Sequence, residues 1–322
     1  MSLKLRQLQH LLALEQHGSF VQAATALHIT QPALSRSIQA LEAQVGAPLF
    51  LREGHGVAPT DLGRVLLTHA REITRLSDSL QQVIGRQALG QQHLTLGAGP
   101  MPSYTIVGPA LARFMQLQAH VTVRVDIRNW DELLLRLRSH ELDMFVAEIS
   151  TLLAEDDLHV LPMARHPLCF MVRPDHALAG QATVDMGQVF RYPLLSPSRV
   201  PPRLLEPVMA ALAQAAGPGK KAKPFPALVC PELSVLKQVV ASTDAIMAST
   251  LCCVRTELER GELAVLGTAP WMHLHYGLVM RKTNAPVSAA QACLRDCVVQ
   301  AEGVVSADEM ALVARWGAAV LA

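Results

Sequence analysis

No apolar run of about 18 residues, the length a membrane-spanning helix needs, occurs in this sequence. Nor does a basic leader followed by an apolar stretch open it, so neither membrane insertion nor export is expected. Net charge is also missing. A formal charge of +1 gives the whole chain no electrostatic pull on nucleic acid, so any such contact must come from local patches. Six cysteines are present without metal-ligand spacing: Cys252 and Cys253 are adjacent, and Cys293 and Cys297 lie one helical turn apart. They read as reduced thiols of a cytoplasmic protein. No glycine-rich nucleotide loop, no GxSxG elbow and no HExxH pair points to an enzyme. No cofactor is implied and no metal set is evident, since His273 and His275 share one side of a strand without further ligands.

What is present begins with helical signals in a definite order. Leu5, Leu8, Leu11, Leu12 and Leu14 recur on one helical face until Gly18 stops the helix. Ser19 with Gln22 forms a capping-box pattern for a second helix, whose Ala23 and Ala24 are small enough to let a neighbour cross closely. His28 and Ile29 make the turn. Thr30 then caps a third helix, with Pro32 in its first turn, where a missing amide costs little. Ala33, Leu34, Ile38, Leu41 and Val45 face inward on that helix, while Gln31, Ser35, Arg36 and Gln39 offer donors and acceptors outward. Such side chains reach base edges or phosphates if the helix N-terminus enters a major groove. The alternative is an ordinary helical hairpin with a solvated face. The segment LFLREGHGVAPT has the content of a short hairpin wing, with Arg52 and His55 placed to touch phosphate or a minor groove.

Thr60 next caps a long helix in which Leu62, Leu66, His69, Ile73, Leu76, Leu80, Val83 and Gln87 follow alternating steps of four and three. That seam predicts pairing of two chains at a fixed spacing; a helix packed on its own domain is the alternative.

The residues Ala23, Ala24, Leu27, Thr30 through Ser35, Ile38, Leu41, Glu42, Gly46, Leu49, Phe50, Arg52, Thr60 and Gly63, in this order of elements, resemble the N-terminal domain of a LysR-type transcriptional regulator. The resemblance covers nearly the whole chain. It implies an α/β fold class overall: an N-terminal winged helix-turn-helix (1–60), a linker and dimerisation helix (61–89), and a two-lobed Rossmann-like effector-binding domain (90–322, including a C-terminal extension). That last domain resembles periplasmic solute-binding proteins. The resemblance further implies double-stranded promoter DNA as partner, a homodimer or homotetramer, a small-molecule effector, and contact with RNA polymerase.

The remainder of the chain carries strand-like runs, LTLGAG, VTVRVDI, DMFVAEI and LHVLPMA, alternating with helical patterns. This predicts a mostly parallel sheet with helices on both faces. A second set runs from CFMVRP through YPLLS, PALVC and AIMAS, and MHLHYGLVMR returns to the first lobe, with crossings near 165 and 270. Ligands of such folds bind beyond the carboxyl ends of strands from both lobes. That rule nominates Pro100, Met101, Pro102, Ser103, Asn129, Trp130, Glu148 and Ser150 from one lobe, and Ser196, Ser198, Arg199 and Glu232 from the other. The serines and Asn129 suit a small polar or anionic effector, Trp130 an apolar wall, and Arg199 a carboxylate. Each could equally serve the fold, Ser103 as a cap and Trp130 as core.

Several segments depart from the family pattern. Thr243 and Asp244 replace flexible residues in VVASTDAIMAST, and the tail 301–322 extends as a further helix with Met310, Val313, Ala314 and Trp316 on its packing face. GPGKKAK (217–223) reads as an exposed basic turn. Three other functions stand as alternatives: a redox-responsive regulator, which would need an accessible thiolate with a resolving partner, an enzyme, and an architectural DNA binder.

Overall fold

The computed structural model describes residues 3–53, 56–88, 92–181, 184–216, 224–283, 286–316 and 321. The chain divides into two compact units, Met1–Gly90 and Gln91–Ala322.

In the first unit, α1 (Leu5–His17), α2 (Phe20–Ala26) and α3 (Gln31–Val45) pack around Leu8, Leu11, Leu14, Ala23, Leu34, Ile38 and Leu41. Gly18 ends α1 at φ +62° and Gly46 ends α3 at φ +80°, left-handed positions that favour glycine. Ser19 and Thr30 occupy the N-cap positions of α2 and α3 without a side-chain cap bond, so extended backbone, not the expected hydroxyl, starts these helices. The wing is the antiparallel pair β1 (Phe50–Glu53) and β2 (Gly56–Pro59), with Arg52 opposite Val57. Glu42 holds its entry by accepting the backbone N–H groups of Leu49 (2.7 Å) and Phe50 (3.3 Å). The long helix α4 (Asp61–Ala88) is capped as the sequence foretold: the Gly63 N–H donates to Thr60 Oγ1 at 2.9 Å. Gly63 has no room for a side chain, since a Cβ there would lie 2.1 Å from the Leu49 carbonyl oxygen.

The second unit has two lobes. Lobe one is a five-stranded sheet in the order β4-β3-β5-β12-β6, formed by β3 (His93–Ala98), β4 (Thr122–Ile127), β5 (Met144–Glu148), β6 (Leu158–Pro167) and β12 (His273–Arg281). Its helices are α5 (Pro100–Pro102), the π-helical turn Ser103–Val107, α6 (Gly108–Leu117) and α7 (Trp130–Arg138). Lobe two is the sheet β11-β7-β10-β8-β9, from β7 (Cys169–Val172), β8 (Leu194–Ser196), β9 (Leu228–Val229), β10 (Ile246–Ser249) and β11 (Ala264–Gly267). It carries α8 (Met186–Val189), α9 (Pro202–Ala216), α10 (Leu233–Ser242) and α11 (Leu251–Glu259).

The expected mostly parallel sheets are mixed. β3 pairs in parallel with β4 and β5, and β8 with β9 and β10, whereas β12 runs antiparallel to β5 and β6, and β7 to β10 and β11. The strands that carry the chain between lobes cause this. β6 runs into β7 and β11 into β12, so each crossing delivers one strand against the direction of the βαβ half. The two crossings bond each other through Leu168 N–H to the Met272 carbonyl (2.9 Å) and Thr268 Oγ1 to the Leu168 carbonyl (2.6 Å).

The C-terminal tail is no separate helix. α12 (Ala289–Trp316) is continuous and packs on its own regulatory unit, against α6, β6 and α11. Its inward face is Ala301, Glu302, Val305, Glu309 and Leu312, with Val313 and Trp316 half-buried; Met310 and Ala314, expected to pack, are exposed. The buried carboxylates are satisfied. Glu302 lies 3.1 Å from His166 Nε2 and accepts the Ala164 N–H, while Glu309 accepts the Leu251 and Cys252 N–H groups that open α11.

Candidate functional site

The first unit presents one face of α3 outward. Leu34, Ile38 and Leu41 are fully buried in the helical core, which leaves Thr30, Gln31, Pro32 and Arg36 exposed at the helix N-terminus and Ser35 half-buried. Arg36 folds back through Nε to the Pro32 carbonyl at 3.3 Å, a contact weak enough to be exchanged for a phosphate or base edge. Arg52 belongs to β1 of the wing, and His55 lies outside the described residues. On α4, Leu67 and Ala70 face the core, while Leu62, Ile73, Leu76 and Leu80 of the seam are 41 %, 46 %, 51 % and 58 % exposed. Leu66 is half-buried and His69 exposed; the side chains of Val83 and Gln87 lie outside what the structure describes.

The second unit contains a cavity of about 110 Å³ lined from both lobes. The strand-end residues Pro100, Met101, Pro102, Asn129, Trp130 and Glu148 line it from lobe one, and Ser196, Ser198 and Arg199 from lobe two. Ser103 and Glu232 do not. The Ser103 hydroxyl donates to the Pro100 carbonyl at 2.7 Å, and Glu232 sits at the N-cap position of α10, exposed. Ser150 is likewise outside the lining and carries a buried hydroxyl without a partner.

Polar groups at the cavity are largely committed to one another. Ser196 Oγ donates to the Ser198 carbonyl (2.7 Å). Across the lobes, Arg199 donates its backbone N–H to Asn129 Oδ1 (3.0 Å) and its guanidinium to Asp131 (2.7 Å). Glu148 accepts the His275 N–H (2.6 Å) and the Ser150 N–H (3.2 Å), with Arg203 3.8 Å away. A second bridge joins the lobes where Lys237 Nζ meets Tyr104 Oη (2.8 Å) and Glu257 (3.0 Å).

Strand ends account for the mouth and miss the interior. Phe170 and Ala248 are paired neighbours on β7 and β10, and Ser196 follows on β8 in the register that sets Ile246 beside Leu194. These residues, with Leu204 and Val208 one turn apart on α9 and Phe190 and Phe225, form an apolar recess in lobe two. In a chain of only thirteen aromatic residues, six (Trp130, Phe170, Phe190, Phe225, Trp271 and Tyr276) line this one cavity.

Burial pushes the Cys169, Cys252 and Cys253 thiols up to about 12 and raises Cys297, which favours the protonated, less reactive form of these four. Among the described residues no group of three or more His, Cys, Asp or Glu is placed to hold a metal ion; His273 and His275 stack with ring centroids 4.7 Å apart. No described helix is long and apolar enough to cross a membrane.

Comparison with known proteins places these two units in a common setting. The model of bacterial regulatory helix-turn-helix proteins of the lysR family matches residues 5–64, and that of the LysR substrate binding domain matches residues 87–301. The chain is 36 % identical over 294 residues to the SDS degradation transcriptional activation protein of a Pseudomonas strain, covering 89 % of this chain and 93 % of the relative. Among solved structures it is similar to full-length CbnR complexed with its target DNA (TM-score 0.65, 19 % identity, 93 % of this chain and 100 % of that one). It is also similar to full-length LysG of Corynebacterium glutamicum with bound effector Arg (TM-score 0.51, 20 % identity, 93 % and 98 %). With an exposed recognition-helix face, a wing, a capped long helix and a two-lobed α/β unit around a cavity, the chain belongs to the LysR-type family of DNA-binding transcriptional regulators.

Proposed function

We propose that this protein binds promoter DNA as a dimer or a pair of dimers and that a small molecule in the lobe cavity controls the complex. The domain limits taken for this reading are 1–60 for the head, 61–89 for the pairing helix and 90–322 for the sensor. Thr30, Gln31, Pro32, Ser35 and Arg36 present the reading helix, and Arg52 and His55 contact backbone phosphate or a minor groove through the wing. The apolar stripe Leu62, Ile73, Leu76 and Leu80, left open on α4, pairs two heads.

The observation that carries the reading is the cavity spanned by both lobes, with Arg199 bonded to Asn129 and Asp131 across its mouth. A ligand that favours one lobe arrangement shifts the population toward it by its differential affinity, and paired chains transmit that shift to the spacing of their heads. Activation is the sign of control proposed, by likeness to the Pseudomonas transcriptional activation protein, and genes for SDS degradation are the first targets to test. RNA polymerase is the further partner such activation needs.

The test is a footprint of the purified protein on DNA upstream of its own gene, at stated salt with excess competitor. Two protected half-sites, spaced by about one helical turn or a multiple, are expected. Arg36→Ala is expected to weaken binding without unfolding the head. No protection there, together with no sequence selected from a random DNA pool, would overturn the reading.

A further inference from the structure

We infer that the cavity selects an uncharged, mostly apolar molecule carrying one oxygen function, such as a medium-length aliphatic alcohol, with its apolar body in lobe two and its oxygen toward lobe one. This rests on the reading of the cavity as the control site and names the chemistry that fills it.

Shape argues first. Strand register puts Ala248, the smallest side chain of its row, between Phe170 and Ser196. Leu204 and Val208 on α9, with Phe190 and Phe225, add to the same lining, so the recess has apolar walls. On a scale where an apolar cavity of roughly 150 Å³ takes one benzene ring, a cavity of about 110 Å³ takes an alkyl body of roughly four or five carbons, with any further length left in the mouth.

Charge argues next. The buried carboxyl group of the lining, Glu148, is already taken up by the His275 and Ser150 N–H groups and by Arg203 3.8 Å away, and it offers an anion no favourable contact. The cation of the lining, Arg199, is 70 % exposed at the mouth and already paired with Asp131. A carboxylate or sulfate carried into the recess finds no counter-ion there, and burying an unpaired charge is far costlier than leaving it in water.

Unused hydrogen-bonding atoms argue last. Tyr276 is 2 % exposed and its hydroxyl has no partner; Trp130 Nε1 is buried and also without one. Both residues line the cavity from lobe-one elements, β12 and α7. Tyr276 is held as a neutral phenol because burial raises its pKa well above the ordinary value. A phenol that donates and accepts, or an indole that donates, is matched by a single hydroxyl or carbonyl oxygen. Orphaned polar groups are uncommon in folded proteins, and a ligand oxygen that reaches either of these two satisfies it.

The experiment is titration calorimetry of the full-length protein with the 1-alkanols from butanol to decanol and with octanoate. Affinity is expected to rise about fourfold per added methylene until the recess is full, then level off. Octanoate should bind at least about tenfold more weakly than 1-octanol, since its charge has no partner. Tyr276→Phe should weaken 1-octanol about fivefold by deleting one hydrogen bond, and Ala248→Phe should abolish the chain-length dependence by filling the recess. Ala248→Val, a smaller intrusion, should flatten the series at shorter chains if the phenylalanine variant fails to fold. Equal or tighter binding of octanoate, no dependence on chain length, or wild-type titrations of both Ala248 variants would overturn the inference. Footprints repeated with 1-octanol separate the two levels. Chain-length-dependent binding that leaves the footprint unchanged upholds the ligand class and removes the control role. A footprint altered by a small charged metabolite, with no alkanol bound, does the reverse.

Discussion

The two lobes of the regulatory unit have the same plan and opposite packing. In lobe one, a Cβ added to Gly97 would meet Leu133, Leu142 and Phe145 at 2.7–2.8 Å, and one added to Gly277 would meet Ile149 at 2.7 Å. The space at these two positions is taken. In lobe two the equivalent layer opens at Ala248 into a recess that Phe170, Leu204 and Val208 border without filling. Apolar surface left without neighbours forfeits dispersion contacts, so lobe two gives up stability for room, and lobe one supplies a rigid wall with two unpartnered polar atoms.

Truncation tests that difference most strongly. Phe145→Ala in lobe one removes a fully buried ring from a filled core and should cost about 3–5 kcal/mol, visible as a large fall in the denaturant midpoint. Phe170→Ala only enlarges a recess already present and should fall at or below the lower end of that range. Equal losses would mean that lobe two is as tightly packed as lobe one. Additions should invert the order. Gly97→Ala is expected to cost about 1–3 kcal/mol by overpacking, because its neighbours are buried side chains with no open space to move into. Ala248→Val should change stability by less than about 1 kcal/mol, and a larger loss in a thermal melt would show that the recess cannot take two more methyl groups.

These contrasts also explain what the sequence could reveal. The head was legible because local chemistry fixes it: Gly18 and Gly46 in left-handed turns, Thr60 capping α4, and Gly63 pressed against Leu49. The mouth of the cavity was legible for a topological reason, since loops after strands meet there, which is how Asn129, Trp130 and Ser196 to Arg199 could be nominated. The recess was not. Phe170, Phe190, Leu204 and Val208 follow the same apolar pattern whether their side chains touch a neighbour or an empty space, and the small size of Ala248 matters only once register sets it between Phe170 and Ser196. The Ser103 nomination failed because the hydroxyl satisfies the Pro100 carbonyl in its own turn. The antiparallel strand of each sheet escaped notice because β12 and β7 carry apolar runs like those of parallel strands.

A smaller effect is expected at the lobe bridge. Arg199→Ala removes an ion pair whose arginine is mostly in solvent, so the melting temperature should hardly change, consistent with the roughly 0–1 kcal/mol of exposed pairs. The bridge also spans the mouth, so ligand association and dissociation measured by stopped flow should both accelerate. Unchanged rates would mean that ligand enters elsewhere. A drop in melting temperature of several degrees would make the bridge a structural support of the lobe contact.

The smallest effect is a dependence on pH that lobe one should carry. Burial, with Arg203 adding repulsion, lowers the pKa of His273 and His275 below the ordinary value of about 6.5. The sign follows from proton counting. Above pH 6.5 both rings are neutral in folded and unfolded chains and stability is complete; as pH falls below 6.5 the unfolded chain takes up protons that the folded chain refuses, and stability declines until the lowered folded pKa values are reached. His10 in the head and His140 beyond α7 are lowered in the same direction, chiefly by burial, so the wild-type decline is shared. Replacing both His273 and His275 by Gln should therefore shrink, without removing, the fall in melting temperature between pH 7.5 and 5.5, by a few degrees at most in a unit of this size. A fall identical to that of the wild type would place the proton uptake at His10 and His140, and the stacked pair beside Arg203 would then contribute packing alone.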